Sequence, residues 1–411
     1  MVKNLRAEKV HFILLLIFSA VIPSGFYRFE GIGLVLLLAS WIFLAKGYQK
    51  LKTIGHPLLL LILFYLLMIL GLFYTNDVNS QWQYLGRKIG MLLIPLIFVG
   101  TNLDEGSIEK LKKAFIFSSI FFVFVADCYA VFDFLTTGES EIFISPSIYN
   151  KFTYYGLTRV FTDWHPTYVS LFLNLTLVFC NEIFYKKKKY PVWVLIGLFS
   201  ILNIFLLNSF IGIFTFFILS ILFLLKVFKK RKGFFVVLAA VMIGFGIAIY
   251  TLNPFQYAKI DKLKETPLKI TDRKEERNVL TLRLAKWKSS IEVYAQAPIL
   301  GVTNGCYMDE LYQQYVRNGF EYCAKQRYSS HNQYLYTLTS NGFFGLLLLG
   351  VILTVPLWLK TYDKSLIPFT MIIGCFFLTE DLLARQQGMF FFVFFYVLLT
   401  QSTSESKILK E

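Results

Sequence analysis

The chain has 411 residues, of which 56% are hydrophobic and 18% aromatic, while only 16% are charged. Soluble domains carry about 25% charged residues, and a mean hydropathy of +0.57 agrees that water is not the main solvent of this chain. The net charge of +15 does not describe a nucleic-acid groove. Its basic residues fall in short clusters between apolar runs: Lys46, Lys50 and Lys52; Lys186 to Lys189; Lys229 to Lys232 with Arg231 among them; Lys360 and Lys364. That is how cytoplasmic loops read under the positive-inside rule.

In chain order, apolar runs lie at about 11–26, 31–45, 57–74, 89–100, 114–136, 165–185, 191–206, 210–226, 233–252, 333–359, 365–380 and 387–402. A bilayer core takes about 20 apolar residues per helix, so the runs predict an all-α, polytopic membrane protein with about twelve spans. The first run is followed by many others and reads as a retained span rather than a cleaved signal. The pair around Asn208 and Ser209 reads as two spans or as one kinked element. With the basic clusters inside, both termini are cytoplasmic. Two connections then lie outside, a medium one at about 137–164 and a long one at about 253–331. Residues 1–252 thus form an N-terminal set of about nine spans, 253–331 a large periplasmic loop, and 332–411 about three spans with a short cytoplasmic tail.

Residues 253–330 hold 13 basic and 9 acidic residues, a net of +4. Long loops escape the positive-inside rule, and this one offers a cationic outer surface suited to an anionic lipid-linked substrate. Within it, Leu280, Leu284, Trp287, Ile291 and Tyr294 recur at helical spacing, predicting an amphipathic helix that lies on the membrane or on the bundle. Arg283 falls at the edge of the predicted buried face. Pro298, Gly301 and Asn304-Gly305 end the helix in turns, and a second helix is predicted around Met308 to Val316. Cys306 and Cys323 share the loop, where an oxidising compartment would permit a disulfide. Cys128, Cys180 and Cys375 fall in apolar runs and read as small hydrophobes.

The most pointed local feature is Ser329-Ser330-His331-Asn332-Gln333, directly before an apolar run. The serines are expected to cap the new helix, with His331 in its first turn. A helix N-terminus disfavours the imidazolium, leaving a ring able to accept a proton. The alternative is an interfacial polar cap with no chemistry. Nine residues later come Gly342-Phe343-Phe344-Gly345, whose glycines suggest close helix packing.

This string, His-Asn, nine residues, then Gly-Phe-Phe-Gly, resembles the signature of the bacterial O-antigen ligase and polysaccharide polymerase superfamily. Arg283, Trp287 and Pro298-Ile299-Leu300-Gly301 resemble that family's large-loop pattern. The resemblance is specific over roughly 275–350 and architectural elsewhere. It implies a GT-C-like membrane glycosyltransferase of the bacterial inner membrane. The implied reaction moves a glycan from undecaprenyl diphosphate to an acceptor hydroxyl (lipid A–core or a growing glycan) with inversion, using no metal and no cofactor. His331 is implied as the base or as the group that orients the acceptor, and Arg283 as a diphosphate clamp. Arg159, in the smaller outer loop, stands where the family has a second arginine. His165, in a His-Pro element that opens a span, is a polar group at the site or a cap.

Other polar residues carry weaker signals. Asn332 and Trp287 are expected to meet substrate. Arg87, beside Lys88, lies at the outer end of a span against the positive-inside trend, which suits diphosphate contact or snorkelling to lipid phosphates. Arg385, with Glu380-Asp381, falls on a short outer turn, as a substrate contact or a solvated turn. Asp127 and Asp133 interrupt an apolar run, where ionisable groups are costly and often functional; bonding to Tyr or Ser neighbours is the simpler reading. The pattern favours ligase over polymerase. A transporter or flippase would show inverted halves and midplane charges, and neither is evident.

Overall fold

The computed structural model describes residues 2–44, 56–99, 101, 103–137, 151–161, 164–228, 269–358 and 362–400. The predicted span at 233–252, several basic clusters and the C-terminal tail lie outside the described residues. Within them every regular element is helical. The α-helices are α1 Val2–Val21, α2 Tyr27–Ala39, α3 His56–Leu70, α4 Val78–Lys88, α5 Gly90–Val99, α6 Glu105–Thr137, α7 Tyr154–Thr158 and α8 Pro166–Cys180. They continue with α9 Tyr190–Leu206, α10 Phe210–Phe228, α11 Val279–Tyr294, α12 Tyr307–Arg317, α13 Glu321–Gln326, α14 Gln333–Thr354, α15 Leu366–Phe377 and α16 Gln386–Thr400.

Among the described residues, four helical segments are long and apolar enough to cross a membrane: Ala7–Ser24, Glu105–Thr137, Pro166–Tyr185 and Gln333–Thr354. Shorter apolar helices occupy Pro57–Phe73, Tyr190–Leu206, Phe210–Lys226, Leu366–Phe377 and Gln386–Thr400. The run at 89–100 departs from a full span. It folds as the ten-residue α5, which covers about 15 Å at 1.5 Å per residue, half of a bilayer core. The residues before it make the separate amphipathic α4, capped by Asp77, whose carboxylate accepts from the Ser80 backbone N–H at 2.9 Å. At Asn208 the backbone turns left-handed (φ 53), so α9 and α10 are two helices.

The chain forms two compact units. The first comprises Met1–Ile22, Phe26–Phe115 and Leu268–Glu411. Its core is α16, buried from Gln387 to Leu399. Phenylalanines from other helices pack on it edge to face: Phe98 on Phe394 at 5.4 Å and Phe115 on Phe395 at 4.6 Å between ring centroids. The second unit comprises Pro23–Gly25 and Ile116–Pro267. Its core gathers Val123, Ala126, Leu157, Trp164, Leu173 and Ile204. On α6, Phe117, Phe121, Phe124 and Phe132 are exposed, and on α9 so are Leu195, Leu198 and Leu202. Apolar stripes of that length on a helix surface belong in lipid rather than water.

Candidate active site

The turn after α11 and the middle of α14 are joined through their backbones. Val302 N–H donates to the Thr339 carbonyl and Phe343 N–H to the Pro298 carbonyl, both at 2.9 Å. Gly342 breaks the helical path inside α14 (φ 66, ψ −166). A Cβ there would lie 2.2 Å from the Ile299 carbonyl oxygen, and one at Gly301 2.4 Å from the Ser340 carbonyl carbon. The glycines of the two motifs are therefore halves of one joint between loop and helix, rather than surfaces for helix packing. Asn304 and Asn341 add an amide pair at 2.8 Å. Gly305 N–H donates to Gln81 Oε1 at 2.7 Å, which fastens the loop to α4.

This joint fixes the start of α14. Asn332 is the N-cap, its Oδ1 accepting from Leu335 N–H at 3.1 Å while its Nδ2 donates to the Leu378 carbonyl at 3.2 Å. His331 lies one residue before the cap, not in the first turn, and its backbone is left-handed (φ 46). Asparagine caps as well as serine, and it carries the cap here because the serines serve elsewhere. Ser330 N–H donates to the Tyr307 hydroxyl, and Ser330 Oγ donates to the Asn332 carbonyl, both at 3.0 Å. Gln333 Oε1 accepts from Leu383 N–H at 2.7 Å, tying this helix start to the 378–386 turn.

That turn brings Glu380 to His331, with Oε2 3.9 Å from Nδ1. The imidazole is a quarter exposed and the carboxylate a tenth. His331, Glu380 and Asp381 each present a ligand atom within 4.8 Å of one another, a donor set of the kind that can hold a cation. Tyr328 meets the His331 ring edge-on at 5.8 Å, and the Lys286 ammonium stands over the Tyr328 ring at 4.9 Å. Burial, and next the charge of Arg283 one turn earlier, push Lys286 down to about 8; Cys323, Glu380 and Asp381 pull the other way.

α11 does not bury the face its apolar residues describe. Thr281, Ala285, Lys286, Ser289, Ser290 and Val293 are buried, while Ile291 is exposed and Leu280, Leu284 and Trp287 are half-buried. A capping box built by Asn278 and Thr281 starts the helix. Its small and polar side packs on protein, and its leucine side is left for an apolar solvent. The Trp287 indole N–H is buried with no hydrogen-bond partner.

Arg87 is exposed and donates to the Gln83 carbonyl of its own helix at 3.3 Å. Neighbouring Lys88 is buried and donates to the Ala384 carbonyl at 2.6 Å. Arg87 and exposed Arg385 thus flank one contact between α4 and the 378–386 turn. Cys306 and Cys323 are free and buried. Burial, then Asp272, holds the Cys323 thiol up at about 12, so it is not a ready thiolate.

In the second unit, Arg159 follows α7 and pairs with Asp133, which Lys151 also reaches at 3.0 Å. The guanidinium lies over the Tyr129 ring at 5.7 Å. His165 is the N-cap of α8, its Nδ1 accepting from Thr167 N–H at 3.2 Å, and its ring packs on Tyr155 at 5.2 Å. Asp127 accepts from Asn203 Nδ2 at 3.1 Å, an amide partner rather than the tyrosine or serine expected.

Residues 195–350 match the family model described as O-Antigen ligase (Wzy_C). Over this segment the chain is similar to the O-antigen ligase family. The match runs from α9 through the large loop and contains Arg283, Trp287, the Gly301–Gly342 joint and His331. Arg159, His165, Arg87, Glu380 and Arg385 lie beyond it. No curated protein matches the chain. That family is one of glycosyltransferase-like enzymes with glycan and lipid-linked substrates in general, and the apolar helices of this chain are those of a membrane protein. Sequence reasoning missed Lys286, which sits on the polar side of α11 where a solvated face was expected. Its spacing of three from Arg283 was the available signal.

Proposed function

We propose that the chain transfers a glycan from undecaprenyl diphosphate to an acceptor hydroxyl at the periplasmic face of the bacterial inner membrane. The observation that carries this reading is the pairing of His331 with Glu380 beside the cations of α11, with His331 and α11 inside the segment that matches the ligase family. The carboxylate favours the tautomer with hydrogen on Nδ1, leaving Nε2 to take the acceptor's proton. The acceptor oxygen attacks the anomeric carbon as its bond to the diphosphate oxygen breaks, inverting that centre, and the diphosphate leaves on the lipid. The Arg283 guanidinium stabilises the charge that develops there, and Arg159 is proposed separately, in the second unit, as a cation for the anionic donor.

Asn332 acts through the backbone, since both ends of its amide serve the fold. Trp287 offers an aromatic face to sugar or lipid, and His165 sets the start of α8. Arg87 and Arg385 are outer cations for the anionic donor. The topology that accompanies this reading has about twelve spans, cytoplasmic termini, and 253–331 as the large periplasmic loop between the N-terminal spans (1–252) and the last ones (332–411). Lipid A–core is the proposed acceptor.

The test is the surface polysaccharide of a deletion strain. Loss of all long chains from lipid A–core, with polymer retained on undecaprenyl diphosphate, identifies a ligase. Survival of a single repeat unit on the core identifies a repeat-unit polymerase, the second reading that the same family supports. An unchanged pattern, with His331→Ala and Arg283→Ala also without effect, rejects the enzyme assignment in favour of a transporter or flippase.

A further inference from the structure

Lys286 is only 7% exposed. Among the described residues its ammonium forms no hydrogen bond and no ion pair within 4 Å, and its defined contact is the face of Tyr328. Burying an ammonium without a partner is costly, and Arg283 on the preceding turn adds like-charge repulsion. Glu380 and Asp381 act on it from the turn before α16, yet burial and Arg283 outweigh them. Tyr328 also packs on His331, so ammonium and imidazole share one aromatic wall. A buried ammonium with a ring face as its defined contact, and no ion pair among the described residues, is suited to an anion brought by a ligand.

We propose that Lys286 binds the donor diphosphate, taking a phosphoryl oxygen beside Arg283 as the glycan leaves. This rests on the glycosyltransferase reading above. A phosphoryl anion supplies the charge partner that the protein withholds, offsets the repulsion from Arg283, and is placed next to the histidine that deprotonates the acceptor. Arg283 stays charged throughout, whereas the ammonium is lost as pH rises through about 8. Of the other groups around it, the Cys323 thiol and the Tyr328 phenol are both held up at about 12 by burial. They remain protonated in the same range. His331, Glu380 and Asp381 are common to wild type and to Lys286→Arg, so comparing those two isolates the ammonium.

The experiment uses the full chain in lipid nanodiscs and measures binding of undecaprenyl diphosphate and of the uncharged undecaprenol at about pH 7.5 and 9.5. Lys286→Met is expected to weaken diphosphate binding about ten- to a hundredfold, the effect of losing a charged hydrogen bond, and to leave undecaprenol unchanged. Wild-type diphosphate affinity should fall between the two pH values, while Lys286→Arg retains affinity at both. If Lys286→Met binds the diphosphate as wild type does, or if wild type and Lys286→Arg share one pH dependence, Lys286 is not a ligand and the transferase reading stands. Equal losses for both lipids in Lys286→Met, with a lowered unfolding temperature and no rescue by arginine, make it a structural counter-charge to Glu380 and Asp381. A wild-type chain that does not distinguish diphosphate from alcohol removes both readings.

Discussion

His331 sits between neighbours that are hydrogen-bonded in place, whereas Arg159 is held chiefly by the charge of a neighbouring acid. Around His331, the Tyr307 hydroxyl, the Asn332 cap and the Gln333 amide fix positions 330, 332 and 333, and the Gly301–Gly342 joint anchors the helix they begin. Arg159 instead ends a five-residue helix, with its side chain a third exposed and its guanidinium on Asp133, which also serves Lys151. A residue proposed as a base must meet one hydroxyl in one orientation, and a left-handed backbone between fixed neighbours suits that role. A clamp for a mobile diphosphate needs only to exchange one anion for another.

The first way to break this comparison is Gly342→Ala. Its backbone lies where only glycine is comfortable, and the added carbon would meet the Ile299 carbonyl. We expect a loss of about 3 kcal/mol or more, seen as a lowered unfolding temperature in detergent. A variant as stable as wild type would mean that the joint is soft and that His331 is not rigidly placed.

Glu380→Gln sharpens the contrast. It keeps the shape beside His331 but removes the charge, and glycan transfer should fall about tenfold with the unfolding temperature little changed. Unchanged transfer would assign Glu380 to the turn alone.

The smallest effect is expected in the second unit. Arg159→Ala should weaken donor use several-fold, read as a raised KM for the lipid-linked glycan. Asp133→Asn, which frees the same guanidinium, should not. If both lose activity equally, the pair is structural and Arg159 is no clamp.

Much of the fold was legible in the sequence, since apolar runs of membrane length have few other uses; α1, α6, α8 and α14 stand where they were expected. The run at 89–100 was misleading, because hydrophobicity alone does not reveal the break between Lys88 and Gly90. The likeness of this segment to the ligase family was legible in the His331-Asn332 and Gly342–Gly345 motif. The buried face of α11 was not, because in a membrane protein the most apolar stripe is the one left for lipid, and the small, polar stripe of Thr281, Ala285 and Ser289 packs inside. The meeting of Glu380 with His331, and of Gly301 with Gly342, depends on tertiary contacts that no local spacing encodes.

The most direct measurement is glycan transfer by the purified chain, reconstituted with an undecaprenyl diphosphate-linked glycan and lipid A–core, in wild type and His331→Ala. Removing a positioned base should lower the rate about 10²- to 10⁴-fold, with the protein still folded and still binding undecaprenyl diphosphate. Transfer at the wild-type rate by a folded His331→Ala chain would contradict the account.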